Sequence, residues 1–265
     1  MERSRLLQCL AADYMRLRDV AGTGLTAPVP SCPGWTVTDL VRHVGQVYLH
    51  KATVMQTGAW PVAWPPPATV TEDPIALLDR AYGAVTHEFS RRGDTDPALT
   101  WHAPDQTVKF WIRRMAQESV IHRLDGELAL HIDSDPIPDD LAVDGIDEVL
   151  RLFVGYGSHA WHEDFTEALA SAKGRTVRVQ VSPRGPAWLI RTDPDGATVA
   201  SATTPASADQ SITPDASVTG DPAPLLRWLW ARESTPTTDA HTPIQVEGDG
   251  EAIKEFRAML VASTQ

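Results

Sequence analysis

Cysteine is nearly absent: Cys9 and Cys32 are the only two in 265 residues. Two cysteines make no disulfide framework, which excludes a small cross-linked secreted fold. Both thiols are expected to be reduced, and the cytoplasm is the expected compartment. Long apolar runs are missing as well. Nothing approaches the roughly 20 residues of a membrane helix. The opening stretch MERSRLLQ turns polar too soon for a signal peptide. Basic residues are in deficit, with 23 Lys and Arg against 35 Asp and Glu and a formal net charge of −12. That balance argues against nucleic acid or an anionic membrane surface as the main partner, because such binding depends on Lys and Arg neutralising phosphates. Hydrophobic content of 42% with 22% charged residues excludes a wholly disordered or collagen-like chain. No internal repeat is visible.

What the chain does have is 21 prolines, nine tryptophans and nine histidines. The prolines punctuate the first half. Residues 3–22 place Leu6, Leu7, Leu10, Tyr14 and Leu17 at helical spacing, with Gly22 closing the segment. After a loop at 27–34, a second helix starts from Thr36 as N-cap with Asp39 three residues on, a near capping box. Its apolar positions are Leu40, Val41, Val44, Val47 and Tyr48. Residues 60–74 hold five prolines and read as loop, ending in Asp73-Pro74, a cap followed by a first-turn proline. Helices over about 74–92 and 107–131 follow. Four such helices predict an antiparallel bundle.

The pattern then changes. Residues 132–139 read as a linker and 139–172 as helical. Residues 176–181 alternate with period two, and 187–192 and 197–201 follow across the turn Asp193-Pro194-Asp195-Gly196. A strand near 211–219 is expected inside the Ser/Thr/Ala/Asp/Pro-rich stretch 202–224. Asp221-Pro222 opens a helix to about Arg232, 244–247 is a short strand, and 251–261 a last helix. The expected fold is an all-α four-helix bundle over 1–133 followed by a smaller α+β domain over 140–265.

Most histidines can be set aside, but one pair cannot. Glu118 and His122 stand four residues apart on the fourth helix, so their side chains lie one turn apart on one face. A carboxylate and an imidazole so placed can reach one metal ion, and an open catalytic zinc site takes three protein ligands. His43, a polar residue in an otherwise apolar stripe, is the candidate third ligand from a facing helix. Asp125, three residues after His122, can orient it. Read alone, Glu118 and His122 serve equally well as a solvated helix pair. The metalloprotease signature His-Glu-x-x-His is excluded, because Gln117 stands where its first histidine would be.

Cys32, just before a helix N-terminus, could carry a lowered thiol pKa. No histidine lies close in sequence, which favours a structural role. His50 either borders the site or lies on the surface, and His159 with His162 reads as a solvated pair. The tryptophans read as packing residues, with Trp60 and Trp64 lining a cleft mouth or covering the bundle end.

Three runs carry a resemblance. VPSCPGWTVTDLVRHVG at 29–45 and FWIRRMAQESVIHRLD at 110–125 resemble the two N-terminal signatures of the mycothiol-dependent maleylpyruvate isomerase family, an actinobacterial group with a DinB-like bundle. LLRWLWAR at 225–232 resembles a helix of that family's sterol-carrier-like C-terminal domain. The resemblance implies a divalent metal, usually zinc, held by His43, Glu118 and His122, and a catalytic arginine at Arg232. Gln117 departs from many relatives, which carry histidine there. Mycothiol is the implied cosubstrate and a small electrophile the implied substrate, with no nucleic acid or membrane involved. The implied chemistry is addition of a thiolate to an activated double bond. Rotation and loss of the thiol then give isomerisation, and arrest after addition gives S-transfer. Arg232 could clamp a substrate carboxylate or only favour a helix C-terminus, and Arg227 could take its place. Two other readings stay open: a non-catalytic metal-binding or regulatory protein, and a metal-dependent hydrolase with Asp125 or another carboxylate as base.

Overall fold

The computed structural model describes residues 1–64, 72–182, 184–202, 213–232 and 244–264. The chain divides into two compact units, Met1–Asp135 and Pro136–Gln265.

The first unit is helical. Its elements are α1 (Arg3–Ala21), α2 (Val37–Thr57), α3 (Pro74–Arg91) and α4 (Val108–Ala129). The starts follow the local chemistry. Thr36 and Asp39 close a capping box on α2, Asp73 accepts from the amides of Ile75 and Ala76 at α3, and Thr107 caps α4. α1 packs along α4 and α2 along α3, and α2 also meets α4. Leu6, Leu10, Leu17, Leu40, Val44, Leu78, Val85, Val120 and Leu124 fill the core. Leu7, Tyr14 and Leu128 are only partly covered, and Tyr14 stacks on Tyr82 with centroids 3.7 Å apart. A buried charge network ties α1 to α4. Arg123 donates to Asp13 and Glu127, and Arg16 reaches Glu127 from the surface. Of the proline loop at 60–74, residues 65–71 lie outside those described.

The second unit is α+β. Its five strands are β1 (Arg175–Val181), β2 (Ala187–Asp193), β3 (Gly196–Ser201), β4 (Ala216–Gly220) and β5 (Ile244–Gly248). Their order is β3-β2-β1-β4-β5, with β1 and β4 parallel and the other pairs antiparallel. Gly196 closes the β2–β3 turn at φ 134°, where an added Cβ would also run into the His159 ring. The strand expected near 211–219 is β4; 211–212 and most of the stretch before it lie outside the described residues.

The stretch 139–172, expected to be helical, is helical in successive short pieces. α5 (Asp139–Glu148) runs into a π-helical segment (Val149–Tyr156), α6 (Gly157–Ala160), a 3-10 turn (His162–Phe165) and α7 (Thr166–Leu169). Tertiary packing overrides the period: a Cβ at Gly155 would meet Val199 at 3.3 Å and one at Gly157 the Trp161 ring at 3.2 Å. α8 (Pro222–Leu229) ends before Arg232, and Ala231 turns the chain at φ 53°. The last helix is α9 (Gly250–Thr264), and it packs on β1 and β4.

Candidate metal centre

The loop before α2 sets the site's floor. Gly34 takes φ 85°, a conformation that favours glycine. The Val29 amide donates to the Trp35 carbonyl at 2.9 Å and the Trp35 amide to the Cys32 carbonyl at 3.0 Å, so the loop folds back on itself. The Trp35 ring comes to rest 5.0 Å from the His43 ring. The capping box fixes where α2 begins and therefore which way His43, seven residues later, points.

α4 faces it. His43 Nε2 and His122 Nε2 each lie 3.2 Å from the same oxygen, Glu118 Oε1. The two imidazole rings stand nearly perpendicular, with centroids 5.0 Å apart. One donor atom from each residue falls within 4.8 Å of the others. An ion at about 2.1 Å from each of three donors in tetrahedral geometry needs them about 3.4 Å apart, so this set fits a divalent ion that takes nitrogen and oxygen. Side-chain exposure is 31% at His43, 14% at Glu118 and 12% at His122, so the group opens on the His43 side.

Each donor on α4 is held by a neighbour. Arg114 Nη2 donates to Glu118 Oε2 at 2.7 Å, leaving Oε1 to face both rings. His122 Nδ1 lies 2.9 Å from Asp125 Oδ2, and fully buried Asp125 accepts in turn from the Ser31 hydroxyl. Cys32 Sγ lies 3.8 Å from the same carboxylate. Burial pushes the Glu118 carboxyl up, but the His122 charge, hydrogen bonds from both histidines and the Arg114 charge together hold it well below the usual range. Burial pulls His122 down, yet Glu118 and Asp125 carry it up to about 9.

The structure therefore brings together His43, Glu118 and His122, with Asp125 behind them. Arg232 belongs to the other unit. There it is buried after α8, its Nη1 donating to the Trp230 carbonyl at 2.7 Å, and its own carbonyl accepting from Arg227 Nε at 3.1 Å. Cys32 faces a carboxylate, in keeping with a structural role. His50 is half-buried between Trp60 and Trp64, with centroids at 5.7 and 4.6 Å. His159 and His162 reach the carbonyls of Ala197 and Pro194. Sequence reading missed Arg114 and Ser31. The first was signalled by its spacing from Glu118; the second had no signal, because its contact spans 94 residues.

Comparison with known proteins follows the same division. Residues 7–126 match the profile of the mycothiol maleylpyruvate isomerase N-terminal domain, and residues 140–254 match that of the MDMPI C-terminal domain. A crystal structure of the mycothiol-dependent maleylpyruvate isomerase aligns with TM-score 0.61 at 14% identity, covering 93% of both chains. A histidine-to-alanine mutant of that enzyme aligns with TM-score 0.56 at 13% identity, covering 92% of this chain and 97% of its own. At such identities the two structures establish the shared fold. No curated protein matches the chain by sequence.

Proposed function

The chain belongs to the mycothiol-dependent maleylpyruvate isomerase family and is an enzyme of that isomerase type, and from this premise we propose that it binds one divalent metal ion, zinc by donor chemistry, through His43, Glu118 and His122. Mycothiol is the cosubstrate in this reading. The reaction is isomerisation of a small electrophile, or S-transfer to it, in the cytoplasm. The observation that carries the reading is two imidazole nitrogens aimed at one carboxylate oxygen, with the orientation of both α4 donors fixed by buried partners.

When bound, such an ion supplies Lewis acidity that keeps a thiol as its nucleophilic thiolate at neutral pH. The chain's residues prepare the place. Asp125 accepts the Nδ1 proton of His122, so once Nε2 gives up its own proton its lone pair lies on the side of Glu118. Glu118 stays ionised, and Arg114 holds its second oxygen. The Trp35 ring flanks His43, with centroids 5.0 Å apart. Arg232, by its place in the family motif, is the catalytic arginine and would take a substrate carboxylate in bidentate fashion.

Metal analysis of protein purified without chelator should give about one divalent ion per chain, falling in His43→Ala and Glu118→Ala, as expected for an open three-ligand site. Protein with no bound metal would overturn the reading. Mycothiol added to the cobalt-substituted protein should give sulfur-to-cobalt charge-transfer absorption. No change at saturation would favour a hydrolase or a regulatory protein. Arg232→Ala should cut turnover with metal content intact, and lost metal or fold would make the arginine structural.

A further inference from the structure

The first unit contains a cation that the metal trio does not use. Lys51 lies on α2 one residue past His50, which stands two turns beyond His43 on the same face. Its ammonium sits 4.8 Å from the centroid of the Trp111 ring, and Trp111 lies seven residues before Glu118 on α4. The pairs His43/Glu118 and Lys51/Trp111 thus mark two levels of one seam between α2 and α4. Seven residues of helix separate them by about 10 Å, and helical side chains lean toward the N-terminus, which brings the lysine head back toward His43.

The surroundings of this cation are unusual. Among the described residues its one polar partner is His50 Nδ1, at 3.1 Å. The indoles of Trp111 and, at 5.5 Å, Trp64 also flank it. No carboxylate among the described residues pairs with it, although a covered lysine ordinarily has one. Burial, with the Lys51 charge beside it, pushes His50 down to about 4, so that ring is neutral and its Nδ1 can accept from the ammonium. Burial lowers Lys51 itself to about 8, with the Glu118 charge opposing and the Arg114 charge adding, so it remains a cation at neutral pH. A single ammonium walled by indoles suits one negative charge on a flat body.

We infer that Lys51 is a specificity-determining residue of this site: propped on the buried Trp111 ring, it binds the carboxylate of a small planar organic acid lying against the exposed Trp64 indole, with the acid's reactive end toward His43, Glu118 and His122. This rests on the proposed function and adds a substrate-reading residue on the metal-binding unit itself, separate from Arg232.

The test is calorimetric binding of crotonate, a small flat acid, with neutral crotonamide as control, to the full chain both as purified and after chelation. Crotonate should bind and crotonamide should not. Lys51→Met should weaken crotonate by about tenfold or more in both samples, the scale of one charge-assisted bond, and Lys51→Arg should retain most of the affinity. Metal content should be the same in all three proteins. With a turned-over acid, Lys51→Met should raise KM and leave kcat nearly unchanged, whereas a structural lysine would lower the melting temperature and reduce both binding and kcat. Wild type that binds neither compound, or both equally, overturns the inference, as does Lys51→Met that binds crotonate like wild type. Lys51-dependent crotonate binding in a protein that carries no metal even as purified without chelator would sink the proposed metal function and leave this assignment standing. Metal bound normally with no effect at Lys51 would do the reverse.

Discussion

Asp125 decides which nitrogen of His122 is available. With Nδ1 committed to a buried carboxylate, only Nε2 is left to face Glu118. Asp125→Asn keeps the volume but exchanges a charged acceptor for a neutral amide. It should weaken metal binding about 10–100-fold, the usual effect of losing an orienting partner, measured by competition with a chelator. Unchanged affinity would remove Asp125 from the centre. The same residue shapes the pH response. In the metal-free protein the His122 pKa is raised from 6.5 to about 9, because Glu118 and Asp125 outweigh burial. A raised imidazole pKa stabilises the metal-free fold fully below the unfolded value of 6.5, and that contribution is lost as pH rises through about 9. Proton and metal compete for one nitrogen, so metal affinity should climb with pH until about 9, and binding at pH 7 should release close to one proton. Titration calorimetry in two buffers of different ionisation enthalpy measures that proton. Much of this was legible in sequence, because helical spacing alone puts Glu118, His122 and Asp125 on neighbouring positions. His43 was legible as a polar break in an apolar stripe. Lys51 was not, because nothing in its neighbours in sequence shows that an indole from 60 residues away would lie under it.

At the scale of the element, α2 is where precision is stored. Its register against α3 depends on Gly45, where an added Cβ would come within 3.0 Å of Leu77 and 3.4 Å of the Leu78 backbone. Gly45→Val should push the two helices apart and cost about 1–3 kcal/mol, read as a lower denaturant midpoint, and should also loosen metal binding, because His43 lies two residues away on the same helix. A variant as stable as wild type would show that the contact relaxes freely. The bundle helices were readable because caps and period agree: Thr36 with Asp39, and Asp73 with Pro74, each mark a start that the structure keeps. The segment 139–172 was readable as helical, but its division into short pieces was not. What breaks it is contact with β3 and with the Trp161 ring, information held by residues far along the chain or folded back upon it.

At the scale of the whole molecule, two units with separate cores share one chain, and their stabilities can be perturbed one at a time. Arg123 is buried between Asp13 and Glu127. Arg123→Met leaves two covered carboxylates without their guanidinium and should destabilise the Met1–Asp135 unit by about 3–5 kcal/mol, with the transition of the Pro136–Gln265 unit unmoved. A single shifted transition would instead show that the units unfold together. The molecule's charge of −12 attracts divalent cations of every kind to its surface. The centre proposed at His43, Glu118 and His122 would be more selective. Arg114 occupies the second oxygen of Glu118, so this carboxylate can offer an ion a single oxygen beside two nitrogens. Calcium, which seeks six to eight oxygens and often both atoms of a carboxylate, finds almost nothing there. The guanidinium that steadies the acid thus also serves as a filter, turning away an ion that the rest of the surface would gather.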